Sequence, residues 1–361
     1  MKIIVKKEIP IIGAGPGGLF AAIRLKDNGL NPVIYEAKST VGLRFHGDFQ
    51  GLENWSTSWN PIEFLKENKV ETTFRCVPFY GGLFYAPDYI QREIKTIDPM
   101  FYLVRRGNFE DTLDTHLLRQ VMERNIPVKF NTRITEIPTG AISSTGPRKF
   151  NMIAKGFTFE TDLPDSAIGI VDDHLAPKGY VYILIQNGIG TFSTVIYQGF
   201  KKIDNYSNLA WKKCLELVPE LKPLNIKPFG GFGNCQLKRK PFPETYYPIG
   251  ESAGYQDFLF GFGIKFSFIS AWCATESILT GESYEKLAQQ HIDPIHQVSI
   301  ANRFLYEFLG NKGYNFVMGK VGLSRNPLNR LKQQFKFNFA KQLIYPFAVN
   351  SLTGKLEREL K

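Results

Sequence analysis

Gly13, Gly15 and Gly18 fall at the spacing G-x-G-x-x-G, with Pro16 and Gly17 between the last two, so one turn of backbone carries almost no side chains. The bare amides of such a turn can approach a diphosphate that side chains would hold away. The flanking residues agree with that use. Ile9-Pro10-Ile11-Ile12 reads as a short buried strand, Leu19 to Asn28 as a helix closed by Gly29, and Pro32-Val33-Ile34-Tyr35-Glu36 as a second strand ending on an acid. Strand, glycine turn, helix, strand and acid in this order form a dinucleotide-binding unit. Gly13 allows the tight turn, Gly15 the approach to the pyrophosphate, and Gly18 the closure of helix on sheet, with the positive pole of the helix facing the phosphates. Glu36 would accept hydrogen bonds from ribose hydroxyls, and its charge disfavours the 2′-phosphate of NADP. The turn does not choose between FAD and NAD. Pro10 removes a ladder hydrogen bond from an expected central strand, and the sequence offers no reason for it.

A second set of glycines stands near the C-terminal third. Tyr247-Pro248-Ile249-Gly250-Glu251-Ser252-Ala253-Gly254 is followed by Phe260-Gly261-Phe262-Gly263-Ile264 and then an apolar helical stretch from Lys265 to Leu279. Two further backbone-lined turns, each ahead of helical sequence, suit a flat anionic ligand such as a flavin, whose N1/C2-carbonyl edge would face the helix start. Close packing is the other use of such glycines. His46 lies in a loop that could face a ring at this place. Tyr180 and Tyr182 share one face of a strand by alternation, whether or not a cavity lies there. Asp172-Asp173-His174 could suggest a metal or an acid–base cluster. A turn ahead of Pro177 explains the trio better, and no metal site is expected.

Taken together, these segments resemble the flavoprotein superfamily that includes p-hydroxybenzoate hydroxylase and, more closely, the geranylgeranyl reductases. The resemblance covers most of the first 280 residues. Gly13, Gly15, Gly18 and Glu36 match its ADP-binding fingerprint. Arg106-Gly107-Asn108-Phe109-Glu110-Asp111-Thr112-Leu113 looks like its R-x-x-F-D-x-x-L segment, which implies Arg106 or Arg105 on the FAD. Ala141 to Pro147, with Gly146, looks like the strand end that closes the FAD domain. Gly250-Glu251 matches a G-D pair with Glu in place of Asp, and Gly261 to Ile264 matches the turn under the flavin ring. Tyr180-Val181-Tyr182 stands where the reductases carry Tyr-x-Trp in the substrate cavity. The resemblance thus implies a non-covalent FAD on Gly13, Gly15, Pro16, Gly17, Gly18, Glu36, Ala37, Arg44, Arg106, Gly146, Gly250, Glu251, Gly261, Gly263 and Ile264. Tyr180, Tyr182 and His46 would face the substrate. The implied reaction is hydride transfer from the reduced flavin N5 to a carbon–carbon double bond of an isoprenoid or lipid-like substrate. A monooxygenase of the same superfamily and a flavoprotein electron carrier are the alternatives. The D-G motif of many hydroxylases is not recognisable, which leaves the reductant open between NADPH and a low-potential donor of the ferredoxin type. The reductases' cysteine-containing segment is replaced by Val41 to Phe49, so no role of that cysteine transfers.

The elements that must position these residues set the fold class: an α/β chain with a discontinuous Rossmann-like FAD domain, an inserted mostly antiparallel β-sheet domain for substrate, and a C-terminal helical region. The FAD domain is expected over 1–75, 98–147 and 236–285, the sheet domain over 76–97 and 148–235, and the basic helical region over 286–361. Phe157 to Thr161 and Tyr180 to Ile185 show β-branched and aromatic enrichment, with Gly188, Gly190 and Gly199 at turns. The 361 residues suffice for two intertwined domains, and 43% hydrophobic with 22% charged residues is an ordinary globular balance. Thirty Phe and 16 Tyr suit core packing or a pocket for something flat or greasy. Four cysteines without CxxC spacing argue against zinc and against a disulfide framework, leaving open whether Cys214 and Cys235 meet. The start shows no signal peptide and no run of 18 apolar residues exists, so a cytoplasmic protein is expected. The net charge of +10 gathers toward the end, with nine Lys/Arg against two Glu from Lys320 to Lys361. Such a tail could meet anionic lipid or an acidic protein, and no nucleic-acid module accompanies it. Asn329 to Lys341 mixes cations with aromatics. As one helix it could lie on a membrane surface or pack on its own protein.

Overall fold

The computed structural model describes residues 8–147 and 149–360. Residues 1–7, read above as the start of the first domain, and Lys361 of the basic end lie outside the described residues. In chain order the elements are β1 (Glu8–Ile12), α1 (Pro16–Asp27), β2 (Asn31–Tyr35), β3 (Phe49–Glu53), α2 (Pro61–Glu67), β4 (Cys76–Phe79), β5 (Gly81–Tyr85), β6 (Arg92–Lys95), β7 (Phe101–Arg105), α3 (Leu113–Glu123), β8 (Val128–Lys129) and β9 (Ile142–Ser143). There follow β10 (Met152–Glu160), β11 (Ser166–Ile170), β12 (Tyr180–Gln186), β13 (Ile189–Ile196), α4 (Ile203–Leu217), β14 (Leu224–Gly233), β15 (Tyr247–Pro248), α5 (Ile264–Thr280), α6 (Tyr284–His291), α7 (Asp293–Gly322), α8 (Pro327–Phe335) and α9 (Phe339–Glu359).

A parallel sheet in the order β15-β9-β1-β2-β8 carries the first motif. α1 makes the crossover from β1 to β2 and begins at Pro16, where a fixed φ and a missing N–H cost a first helical turn nothing. Leu19 to Ile23 and Leu25 are fully buried, because α1 packs against α3 and α5 as well as the sheet. The parallel sheet also accounts for Pro10. β9 pairs only with Ile11 and Ile12, so on that side Pro10 has no partner whose hydrogen bond would be lost.

The second sheet has seven strands in the order β14-β10-β13-β12-β11-β5-β6, antiparallel except for the β11–β5 pair. α4 lies on it, an element not anticipated within 148–235, and Trp211 of that helix meets Phe157 and Phe192 at 4.7 and 4.9 Å between ring centroids. A good part of the aromatic load is therefore core. A third sheet, β3-β7-β4, meets the seven-stranded one where the Phe49 amide donates to Thr191 Oγ1 at 2.9 Å. It moves one expected boundary: Cys76–Phe79, read as part of the substrate sheet, pairs with β7 instead, and the larger sheet takes up the chain only at Gly81.

The C-terminal region is helical from α6 onward. α7 is bent at Gly310, whose φ of 56° and ψ of −168° interrupt the helix. Asn329 to Lys341 is not one helix: α8 ends at Phe335, Lys336 is extended, and Asn338 caps a new start. All four cysteines are free, and Cys214 and Cys235 sit in separate core clusters. No helix among the described residues is long and apolar enough to cross a membrane.

Candidate functional site

The glycines of the first turn divide by what a side chain would strike. A Cβ on Gly13, at φ 102°, would lie 2.4 Å from the Ser144 carbonyl oxygen. On Gly18 it would lie 2.2 Å from the Gly13 carbonyl oxygen, and on Gly17 2.5 Å from Ser267 Oγ. These three glycines serve packing of protein on protein. Gly15 is different. Its φ of −74° and ψ of 172° suit any residue, and its Cβ would find only Ser144 Oγ, at 3.7 Å. Gly15 caps α1 without a side-chain hydrogen bond, and no acid stands in the first turn of that helix. The turn is thus an open cradle with amides and a positive helix pole directed at it. Glu36 fastens the turn, accepting the Ala14 amide at 2.7 Å and the Lys38 amide at 2.9 Å. Each carboxylate oxygen keeps a lone pair for a hydroxyl. Ala37, beside it, is exposed.

From Gly15 a line of neighbours runs to the second and third glycine turns. Ser144 precedes Gly146, whose Cβ position is 4.0 Å from the Arg44 guanidinium. Arg44 pairs with Glu251 at 2.9 Å and also donates to the Phe232 carbonyl. Glu251 Oε1 lies 3.7 Å from the Cβ position of Gly263, where α5 begins at Ile264. Ser267 of α5 sits between Gly17 and Gly250, its Oγ 2.5 and 3.3 Å from their Cβ positions. Helix α5 therefore carries both the first turn and the Gly250 turn on one face. Residues from four separated parts of the chain form one contiguous track.

The last turn is held by residues that the sequence reading passed over. Asp257 accepts the Gly261 amide on its carbonyl at 2.9 Å, and its own amide donates to the Phe262 carbonyl at 3.0 Å. The Asp257 carboxylate accepts the Phe260 and Leu259 amides at 2.8 and 3.3 Å. Burial raises this acid to about 7, and the nearby charge of Glu53 pushes the same way. Gln256 donates to the Gly261 carbonyl at 2.7 Å, while its Oε1 is buried without a donor. The Tyr197 hydroxyl, also buried and without a partner, is 3.5 Å from the Cβ position of Gly261. An Asp two and three residues ahead of the amides it accepts is a turn-capping signal that the sequence did contain. Gln256 and Tyr197 carry no such signal.

Tyr180 and Tyr182 stand on one face of β12 with ring centroids 6.1 Å apart, and the Tyr180 hydroxyl donates to the Phe260 carbonyl. Phe260 meets Tyr180 edge-on at 5.8 Å. Phe262 meets Trp55 at 5.1 Å and lies on Gly51 of β3, where a Cβ would come within 2.6 Å of its ring. The seam between the 260–263 turn, β3 and the large sheet is thus walled by aromatic rings. His46 is not part of it. Its ring is exposed and stacks on Phe229 of β14, and two strands of the sheet separate β14 from β12. Arg106 is buried, paired twice with Asp114 at 2.9 Å, bonded to Gln50 at 3.2 Å and stacked 4.0 Å from the Phe45 ring. Arg105 pairs with Asp111 at 2.9 Å. Both arginines brace the 42–48 loop that carries Arg44. Asp172 accepts the His174 amide at 2.9 Å and caps the turn before Pro177, and no cluster of three or more His, Cys, Asp or Glu among the described residues could hold a metal.

Residues 11–50 match the NAD(P)-binding Rossmann-like domain. The solved structure of a geranylgeranyl bacteriochlorophyll reductase-like protein from Thermoplasma acidophilum aligns with 96% of this chain and 98% of its own, at TM-score 0.68 and 15% identity. This chain carries the fold of the FAD-binding oxidoreductases. A flavoprotein/dehydrogenase from Cytophaga hutchinsonii covers 98% of this chain and 99% of its own, at TM-score 0.64 and 15% identity. A tryptophan 6-halogenase from Streptomyces toxytricini covers 98% and 96%, at TM-score 0.63 and 11% identity. A comparison with curated proteins by sequence finds no match. At such identities the likeness is one of fold, and the resemblance read from the residues is matched at that level. The residues present fit FAD on their own terms: the side of Gly15 that protein leaves open, the uncapped start of α1, and the buried Gln256 acceptor beside the last turn.

Proposed function

We propose that this chain is an FAD-dependent oxidoreductase that reduces carbon–carbon double bonds of an isoprenoid or similarly lipid-like substrate. The observation that carries the reading is the contiguous track from Gly15 through Arg44 and Glu251 to Gly263, which ends beside an aromatic seam. A long cofactor with a diphosphate and a flat ring suits the track, and an apolar, unsaturated chain suits the seam. The reductase-like relative in fold supports the choice.

FAD held on this track would supply two-electron chemistry that no side chain offers. The protein would supply position and exclusion of water. Glu36 and the Gly13–Gly18 turn would hold the adenosine end, and Glu251 with Arg44 would meet the middle. The 260–263 turn, fixed by Asp257, Gln256 and Tyr180, would set the ring against the seam. Burial holds the Tyr180 hydroxyl well above its ordinary pKa, so it stays protonated and keeps its bond to the Phe260 carbonyl. We assign it to positioning the turn.

Several neighbours in fold are halogenases and one is p-nitrophenol 4-monooxygenase, which supports oxygen chemistry as the second reading. Anaerobic mixing separates the two. Bleaching of the purified yellow protein by NADPH or by a low-potential donor, then recovery of colour on adding an unsaturated isoprenoid without oxygen, is the expected outcome. Recovery only with oxygen, with substrate-dependent oxygen uptake, would favour the monooxygenase. A colourless chain that takes up no FAD would overturn both.

A further inference from the structure

Between residues 308 and 356 the chain contains eight Lys/Arg and no Asp or Glu. The same stretch exposes its largest apolar side chains in register. On α9, Phe339, Leu343 and Phe347 recur every fourth residue and are 74%, 55% and 72% exposed. At 100° per residue they form one stripe, about 12 Å long at 1.5 Å rise per residue. The opposite face of the helix, with Ala348, Val349 and Leu352, is buried against the large sheet and α7. Beyond the bend at Gly310, Phe316 of α7 and Leu323, which caps its C-terminal end two turns on, are 62% and 88% exposed. Lys312 and Lys320 lie at helical spacing with Phe316, and the Lys320 ammonium is 4.3 Å from the Phe316 ring centroid.

Single exposed apolar residues need no explanation, whereas stripes on two helices of one acid-free segment do. We propose that α9 and the second half of α7 form a face that docks this protein on an anionic lipid surface, with the Phe and Leu side chains entering the interface and the cations meeting headgroups. The charge identifies the occupant. A second copy would bring the same unrelieved positive charge, so self-docking is opposed, whereas an anionic leaflet is complementary to it. Convex helix faces with separated rings also suit a fluid surface better than a shaped groove. Not every residue of the mixed stretch 329–341 can take part: Lys341 is buried and donates to the Gln334 carbonyl, and Phe335 is buried near Trp55. This inference stands apart from the flavin reading, since neither stripe contributes to the Gly15–Gly263 track.

The test is sedimentation of the full FAD-containing chain with vesicles of phosphatidylcholine alone or with about one third phosphatidylglycerol. Binding to the anionic vesicles is expected, weakening several-fold between about 0.1 and 0.5 M salt as charges are screened. The variant Phe339→Ser/Leu343→Ser/Phe347→Ser should bind at least about tenfold more weakly, with unchanged flavin absorbance and little change in melting temperature because those side chains lie mostly in solvent and belong to none of the buried clusters. Phe316→Ser/Leu323→Ser should add to the loss. Equal binding of variant and parent, or no binding to either vesicle, would overturn the proposal. So would light scattering that shows a dimer which the α9 variant dissociates.

Discussion

Gly15 offers a separation that few glycine turns allow. Its backbone angles suit alanine, and no protein atom comes nearer than 3.7 Å to an added Cβ, so Gly15→Ala or Gly15→Val should leave the apoprotein's melting temperature nearly unchanged. FAD retention should fall sharply, because the side chain enters the cradle. Gly13→Ala should instead destabilise the fold by about 2–4 kcal/mol, since a positive φ and a 2.4 Å approach to backbone both oppose it. Melting curves with flavin absorbance on the same samples read both effects, and loss of fold in Gly15→Ala would remove the cradle assignment. Asp257 gives a pH test. Its ordinary value of 3.8 is raised to about 7 by burial, so between those limits the folded chain keeps a proton that the unfolded chain releases. Its contribution to stability is complete below the ordinary value and is lost as pH rises through 7. The melting temperature should therefore fall between about pH 4 and 7 in the parent, and less steeply in Asp257→Asn, measured by calorimetry. A slope unchanged in the variant would show that another group titrates. At this scale the tight turn at Gly13 and the close helix packing at Gly18 are legible in the sequence because their geometry is local. Gln256, Tyr197 and the pairing of Arg106 with Asp114 are not, because distant partners define them.

Among the elements, the breaks are set by caps and glycines more than by hydrophobic pattern. Asn326 and Asn338 accept amides three residues on, at Asn329 and Lys341, both at 3.0 Å, and so restart the chain as α8 and α9. The periodicity of 329–341 reads through that break, which is why a single helix is expected from sequence and two are found. β4 follows the same logic: Cys76–Phe79 is strand-like either way, and only the partner β7 decides its sheet. Gly310 controls α7. With φ 56° and ψ −168° it occupies a region that only glycine enters readily, and its Cβ position has Asp173 and Lys178 side-chain atoms at 3.8 Å. Gly310→Ala should therefore cost about 1–3 kcal/mol through backbone strain, with little steric contribution. Urea denaturation reads the cost directly. A neutral or stabilising substitution would mean that α7 runs straight through this point in solution.

Across the whole molecule, the flavin turn, the large sheet and the C-terminal helices meet at one buried cation. Arg303 of α7 is fully buried, stacks 3.6 Å from the Tyr197 ring centroid, donates to the Leu259 carbonyl at 3.0 Å and pairs with Glu307 at 3.1 Å. Glu307 also takes Lys355 of α9 at 2.8 Å. One carboxylate thus compensates two cations that join α7 to α9 and hold Leu259 just ahead of the glycine turn. Motif order and residue pattern showed the α/β class, the inserted sheet and the helical end, yet nothing in them pairs positions 303, 307 and 355, since closure of this kind follows from the finished packing. Glu307→Gln keeps the shape and removes the compensation, leaving Arg303 buried and unpaired. It should destabilise the chain by about 3–5 kcal/mol, the usual cost of breaking a buried ion pair from one side. Because Arg303 also fixes Leu259, FAD affinity should fall as well, whereas Lys355→Met, at a half-exposed position, should cost less and leave the turn in place. Denaturation with flavin-fluorescence titration on both variants separates the effects. An unchanged FAD affinity in Glu307→Gln, at the expected loss of stability, would confine Arg303 to joining the helices and detach it from the cofactor turn.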